Sequence, residues 1–86
     1  MSEDNAQVSI LLVEDQLTQA VLMQHQLKKG GFLVKLARSG VAALNELEQG
    51  QYDLVLTDIN MPQMNGYELT QAVKNKYPTL PVVPTI

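Results

Sequence analysis

The stretch Y-D-L-V-L-T-D-I-N-M-P-Q-M-N-G, from Tyr52 to Gly66, decides how this chain is interpreted. It begins with an apolar, β-forming run, ends that run on a lone aspartate, Asp58, and continues into a loop marked by Pro62 and Gly66. Asp58 either closes a strand through an Asx-turn into the loop or stands at a reaction site. The stretch alone leaves both interpretations open, so the flanking strands have to decide between them.

The composition describes one small domain. The chain has 86 residues, 45% hydrophobic and 17% charged, which is typical of a globular protein. Its net charge of −3 argues against a nucleic-acid binder, which needs a basic face. With no cysteine, disulfides, zinc–thiolate sites and thiol nucleophiles are excluded. No apolar run could span a membrane, and the polar, acidic start is unlike a signal peptide. We therefore expect a cytoplasmic protein that binds neither nucleic acid nor membranes.

Strand and helix patterns alternate along the chain. Short apolar runs predict strands at residues 8–13, 32–37, 52–57 and 81–86. Apolar residues at helical spacing predict helices at residues 16–29, 40–49 and 66–77. The first ends in lysines followed by Gly30-Gly31, and the second begins after a Ser39 N-cap. The order β-α-β-α-β-α-β with short connections predicts a doubly wound α/β fold, a parallel sheet with helices on both faces. Residues 1–7 are expected to form a mobile tail.

Three carboxylates follow predicted strands. Glu14 and Asp15 follow the first strand and Asp58 follows the third. If these strands are neighbours, as in the 2-1-3 order of flavodoxin-like folds, the carboxylates converge at the edge where such sheets bind ligands. Clustered anions repel one another unless a cation lies among them, and Mg²⁺ is the natural partner of oxygen ligands. A carboxylate beside Mg²⁺ can attack a phosphoryl group and form an aspartyl-phosphate. The structural alternative is that Glu14 and Asp15 cap the first helix and Asp58 makes an Asx-turn.

With these residues in view, the chain resembles the receiver domains of two-component response regulators from about Val8 to its last residue. The matching motifs are I-L-L-V-E-D, Y-D-L-V-L-T-D, M-P-Q-M-N-G-Y-E and L-P-V-V. The resemblance implies a CheY-like fold and a signalling module, not an enzyme. It implies that Asp58 accepts a phosphoryl group from a histidine kinase or a phosphotransfer histidine protein. Mg²⁺ would be bound by Asp58, directly by Asp15, through water by Glu14, and by the backbone carbonyl of Asn60.

The chain departs from the family pattern at its C-terminal end. A complete receiver continues with a fifth strand, its phosphate-binding lysine and a fifth helix, which have no counterpart here. Aligned on L-P-V-V, the family's switch hydroxyl falls on Ile86, so Thr85 takes that role only if the backbone slips at Pro84. We therefore expect residues 8–86 to form a partial receiver domain in which phosphotransfer is slow or absent.

The same departure predicts exposed apolar surface. The first helix would expose Ala20, Met23 and Leu27 or their neighbours, and the fourth strand would be an open edge that invites pairing with another chain. We expect a homo-oligomer formed through the fourth strand and the first helix. The alternative function is therefore a receiver-derived dimerisation or interaction module that is not phosphorylated.

Two further functions fit less well. A phosphatase of the haloacid dehalogenase type wants a carboxylate two residues after its nucleophile, and that residue is Asn60. A flavin carrier needs a hydroxyl- and amide-rich phosphate cradle after the first strand, where this chain has the acidic E-D-Q-L-T.

Overall fold

The computed structural model describes residues 7–58 and 66–85, with backbone only at Gly66 and Thr85. The tail predicted for residues 1–7 lies outside the described residues except for Gln7. The side-chain amide of Gln7 donates a hydrogen bond to the carbonyl of Gly31 at 3.1 Å. Asn60 and the Pro62 loop also lie outside the described residues.

The elements follow the predicted order. They are β1 (Ser9–Val13), α1 (Leu17–Lys29), β2 (Leu33–Ala37), α2 (Gly40–Gln49), β3 (Leu54–Asp58), α3 (Gly66–Lys76) and β4 (Val82–Thr85). The clearest difference from the sequence prediction is at β3, which begins two residues later and includes Asp58 as its last residue. Within the described ranges, no helix is long and apolar enough to cross a membrane.

The four strands form one parallel sheet in the order β2-β1-β3-β4. This order confirms the predicted doubly wound, flavodoxin-like arrangement in which β1 and β3 are neighbours. In the register, Ile10 pairs with Leu54 and Val13 pairs with Thr57. Consequently β1 and β3 end at the same level of the sheet.

Alternate side chains of β1 enter two separate apolar layers. Leu11 and Val13 pack in a cluster with buried residues of α2 and α3, namely Ala43, Leu47, Leu69 and Val73. Ile10 and Leu12, also buried, lie on the opposite face, where α1 packs against β1 and β2. The central strand is therefore covered on both faces, as its nearly continuous apolar sequence predicts.

The exposed apolar residues of α1 are not the ones first named in the sequence prediction. Ala20 is fully buried, so its predicted exposure is wrong, and Met23 and Leu27 are half-buried. Their neighbours are exposed instead: Leu17 at 57%, Val21 at 53% and Leu22 at 57%. Helical periodicity does not say which part of the apolar surface of α1 meets the sheet, and in the structure Ala20 lies on the buried side.

β4 is the outer strand of the described sheet, as predicted, but its sequence limits pairing with a further strand. The Val55 N–H donates to the carbonyl of Pro81 at 3.0 Å. The alternation of a parallel ladder then turns the backbone nitrogen of residue 84 away from β3. That residue is Pro84, which has no N–H to offer an added strand. The edge is therefore open in the described sheet but is a poor template for strand addition.

α1 ends in a Schellman motif that depends on Gly31. The Gly31 N–H donates to the carbonyl of Lys28 at 3.0 Å, and the Phe32 N–H donates to the carbonyl of Leu27 at 3.2 Å. These two bonds require a left-handed residue after the C-cap Gly30, and Gly31 has a φ of 95°. The predicted glycine cap is thereby confirmed.

Replacing Gly31 by Ala is expected to lower the free energy of unfolding by about 1 kcal/mol, because an L side chain is strained at positive φ. Steric crowding adds nothing, since a Cβ there meets no atom within 4 Å. Gly50→Ala is the matched control, because Gly50 is extended and a Cβ meets Tyr52 only at an ordinary 3.5 Å. Urea unfolding followed by circular dichroism measures both. Equal stabilities for the two variants would contradict the assigned role of Gly31.

Candidate functional site

The pairing register of β1 and β3 brings the candidate site residues together. One residue beyond the Val13–Thr57 pair, Glu14 and Asp58 stand at the same level of the carboxyl edge. Successive side chains of a strand point to opposite faces of the sheet. Glu14 lies two residues after Leu12, and Asp58 lies two residues after Leu56, so both carboxylate side chains leave the sheet on the same face. The Glu14 N–H donates to the carbonyl of Ala37 at 3.0 Å, which fixes the end of β1 to the end of β2.

Three of the predicted site residues come together at this edge. Glu14, Asp15 and Asp58 each contribute one carboxylate oxygen, and these three oxygens lie within 4.8 Å of one another. Glu14 is buried, with 5% of its surface exposed, whereas Asp15 and Asp58 are half-buried. This acidic cluster could hold a metal ion.

Of the two other predicted site residues, the structure describes only the backbone of Thr85. The backbone carbonyl of Asn60 lies outside the described residues. Thr85 is the register partner of Asp58 across the β3–β4 ladder, and its side chain is not described.

The electrostatics of the cluster oppose three simultaneous negative charges. Burial raises the pKa of the Glu14 carboxyl above its ordinary value, and the neighbouring Asp58 carboxylate raises it further. The hydrogen bond from the Gln16 N–H to Glu14 Oε1, at 3.1 Å, lowers the same pKa and only partly offsets these effects. A cation among the carboxylates would relieve both the burial penalty and the repulsion.

Asp15 supplies a second indication of a cation. Its Oδ1 atom is buried and accepts no hydrogen bond from the described residues. A buried polar atom without a partner costs free energy, and native structures rarely leave one unsatisfied. A hard cation bound to Oδ1 would satisfy it. The donor set also suits such an ion, because oxygen ligands are those that Mg²⁺ prefers.

The size of the cluster suits one small divalent cation. Mg²⁺–oxygen bonds are about 2.1 Å, so oxygens on opposite sides of the ion lie about 4.2 Å apart. The three carboxylate oxygens lie within 4.8 Å of one another, a separation of the same order.

The capping interpretation of Glu14 and Asp15 is not what the structure shows. The N-cap of α1 is Gln16, with no side-chain capping hydrogen bond, and the first turn holds no acidic residue. Glu14 instead accepts the N–H of the N-cap residue itself. The alternative Asx-turn of Asp58 would involve the loop that lies outside the described residues.

Sequence reasoning missed one side chain at this edge. Nη2 of Arg38 donates a hydrogen bond to the backbone carbonyl of Asp15 at 2.8 Å. The available signal was position, because Arg38 directly follows β2 and so reaches the same carboxyl edge as the carboxylates. On the other side, Thr57 is fully buried and its Oγ1 donates to the carbonyl of Asp58 at 3.0 Å.

Sequence comparisons connect this geometry to known proteins. The chain is 44% identical over 80 residues to the sensor histidine kinase RcsC of Escherichia coli K12. The aligned region covers 93% of this chain and 8% of RcsC. It is 38% identical over 77 residues to the transcriptional regulatory protein ZraR of Klebsiella oxytoca, which covers 90% of the chain and 17% of ZraR. The chain thus spans only a small part of the length of these curated relatives.

Solved structures share the fold. The chemotaxis protein CheY4 of Vibrio cholerae superposes with a TM-score of 0.87 at 30% identity, over 92% of this chain and 68% of that one. The response regulator protein TrrA of Thermotoga maritima, solved in complex with Mg²⁺-BeF, gives a TM-score of 0.80 at 32% identity, over 83% of this chain and 62% of that one.

The family comparison completes the assignment. The family model of the response regulator receiver domain matches residues 10–85, from the start of the buried part of β1 to the last residue of β4. The parallel strand order and the acidic edge agree with this match, and the chain belongs to the response regulator receiver domain family.

Proposed function

We propose that this chain is the phosphoacceptor domain of a two-component system, and that Asp58 takes a phosphoryl group from a histidine kinase or a phosphotransfer histidine protein. The observation that carries the proposal is the convergence of Glu14, Asp15 and Asp58 within 4.8 Å. Asp58 is half-buried at the end of a central strand, where an incoming phosphoryl group can reach it. RcsC, a relative named as a sensor histidine kinase, supports a place in such a system.

The transfer is a displacement at phosphorus. A carboxylate oxygen of Asp58 forms the new bond to phosphorus while the bond from phosphorus to the imidazole nitrogen of the donor breaks. The electron pair of the broken bond stays on the imidazole, and the product is an acyl phosphate on Asp58. Bound Mg²⁺ supplies neutralisation of charge on the phosphoryl oxygens.

We propose the ligand roles that the resemblance to receiver domains implies, and two observations support them. Oδ1 of Asp15 is buried and accepts no hydrogen bond from the described residues, which favours Asp15 as a direct ligand together with Asp58. One oxygen of Glu14 already accepts the Gln16 N–H, which favours a role through a water molecule for Glu14. The backbone carbonyl of Asn60 would complete the protein ligands. The Mg²⁺ complex of TrrA supports this choice of metal.

Thr85 is proposed as the switch hydroxyl, one position before the one that the family uses. The β3–β4 ladder pairs residues one to one from Val82 to Thr85, so the backbone does not slip at Pro84 and Ile86 keeps the position counted from L-P-V-V. Two observations support Thr85: it is the register partner of Asp58, and it is the one hydroxyl-bearing residue of β4.

Prolonged incubation with acetyl phosphate and Mg²⁺ is expected to add the mass of one phosphoryl group to the chain, more slowly than in a receiver that has the phosphate-binding lysine, and intact-mass spectrometry measures this adduct. In this reaction the bond from phosphorus to oxygen breaks and acetate leaves with the electron pair. The adduct should disappear in Asp58→Asn, which removes the nucleophilic carboxylate, and when EDTA removes the metal.

Asp53→Asn is the matched control, because Asp53 is exposed next to the opposite end of β3, and an asparagine there keeps an oxygen that can accept the Ser9 N–H. It should be phosphorylated like the original chain. A folded chain that takes up no phosphoryl group, or an adduct that persists in Asp58→Asn, would contradict the proposal.

We propose a second candidate role, self-association through the face that carries α1. Val83 belongs to the same side of the sheet as Leu56, its register partner, yet α1 packs mainly on β1 and β2. Val83 is consequently 43% exposed, and α1 exposes Leu17 and Val21. Since Pro84 hinders strand addition, a second copy would cover this surface face to face. Such a module needs no phosphorylation.

Sedimentation velocity at micromolar concentration is expected to show a dimer that dissociates in the double variant Leu17→Glu, Val83→Glu. The reason is that burying the two introduced charges in an apolar interface is costly. Val41→Glu is the control, because Val41 is 52% exposed on α2 at the other face of the sheet. A compact monomer for the original chain would rule out this second role.

A further inference from the structure

Arg38 makes one defined contact with the acidic edge. Its Nη2 atom donates to the carbonyl of Asp15 at 2.8 Å, across 23 positions of sequence. This carbonyl lies just before the helix, because the first helical hydrogen bond runs from the Ala20 N–H to the carbonyl of Gln16. The guanidinium therefore supplies a donor to a carbonyl that the helix ladder does not use.

The contact fixes one peptide plane at both ends. The carbonyl of the Asp15–Gln16 peptide is held by Arg38, and the N–H of the same peptide is held by Glu14 Oε1 at 3.1 Å. The preceding residue is fixed as well, since the Glu14 N–H donates to the carbonyl of Ala37. The backbone that carries the Asp15 carboxylate is thus tied to the end of β2 twice, once through the main chain and once through Arg38.

We propose that Arg38 is a positioning residue of the acidic site, which holds the Asp15 peptide so that the Asp15 carboxylate is already oriented for a divalent cation. This inference rests on the proposed binding of Mg²⁺. Groups that orient metal ligands typically change metal affinity by about 10–100-fold when they are removed. Because Arg38 is exposed, we expect an effect near the lower end of that range.

Charge and positioning predict opposite signs, which makes the role testable. If Arg38 acted only as a nearby positive charge, removing it would reduce repulsion of the incoming cation, and Mg²⁺ would bind more tightly. If Arg38 positions the Asp15 peptide, removing it frees that peptide, and Mg²⁺ binds more weakly. The direction of the change therefore separates the two roles.

The experiment is a titration of the original chain and its variants with MgCl₂, followed by the amide resonances of Gln16 and Asp58. Arg38→Met should weaken Mg²⁺ binding by about tenfold. Arg38→Lys keeps a charged donor and should recover part of the loss. Lys35→Met removes an exposed charge from β2, the strand that Arg38 follows, without touching the site, so the Mg²⁺ affinity of this variant should be unchanged or slightly higher. Urea unfolding without metal should give similar stabilities for all variants.

Tighter or unchanged Mg²⁺ binding by Arg38→Met would overturn the inference while leaving the proposed function intact. A loss of affinity that matches an equal loss of stability would also overturn it, because the role would then be structural. If the original chain itself binds no Mg²⁺, the proposed function fails, and the role of Arg38 falls with it.

Discussion

The structure depends on bringing three carboxylates within 4.8 Å of one another at the end of a buried sheet. This arrangement is unfavourable by itself, since burial and mutual repulsion both penalise the charged forms. It forms because parallel pairing of β1 with β3 places Glu14 and Asp58 at the same level of the sheet. Asp15 directly follows Glu14 and therefore lies at the same edge. The pKa of Glu14 is raised, and Oδ1 of Asp15 accepts no hydrogen bond from the described residues; both reflect this cost in free energy. A site that costs stability in this way is typical of function.

The remainder of the fold keeps that edge rigid. β1 is buried on both faces, so its end cannot shift without disturbing two apolar layers. At the opposite end of the sheet, β1 and β3 are also fastened together. The Ser9 N–H donates to Asp53 Oδ2 at 2.8 Å, and the Asp53 N–H donates to the carbonyl of Ser9 at 2.8 Å. The relative position of the two strands is therefore fixed at both ends, and this fixes the distance between the Glu14 and Asp58 carboxylates.

The sequence was sufficient for the order of the elements and for placing each carboxylate at the end of a strand, because both follow from local patterns. The cluster itself also needed β1 and β3 to be neighbours, which was an expectation from flavodoxin-like folds until the strand order confirmed it. Apolar runs that end in carboxylates identify strand ends, and the alternation of strands and helices implies a parallel sheet. The start of β3 was misplaced because Asp53 looks like part of the strand, although its side chain bonds to the backbone of β1. The buried side of α1 was misjudged at Ala20, since helical spacing gives an apolar stripe and not the part of it that meets the sheet.

Other features needed three-dimensional information. The hydrogen bond from Arg38 joins residues 23 positions apart, and nothing in the local sequence of either residue indicates the partner. The pairing of Thr85 with Asp58 depends on the register of β3 and β4, which no sequence motif gives. In both cases the missing information is a relation between two strand ends, and a sequence pattern describes each end separately.

Above all, we propose that the acidic edge binds a divalent cation beside Asp58. The most direct measurement is paramagnetic broadening of amide resonances by Mn²⁺, an ion that uses the same oxygen ligands as Mg²⁺. We expect strong broadening at Glu14, Asp15 and Asp58, loss of that broadening with excess Mg²⁺ or in Asp15→Asn, and much weaker broadening at Gly50 and Asp53 at the opposite end. Broadening that is spread over all exposed carboxylates, or that Mg²⁺ does not displace, would contradict it.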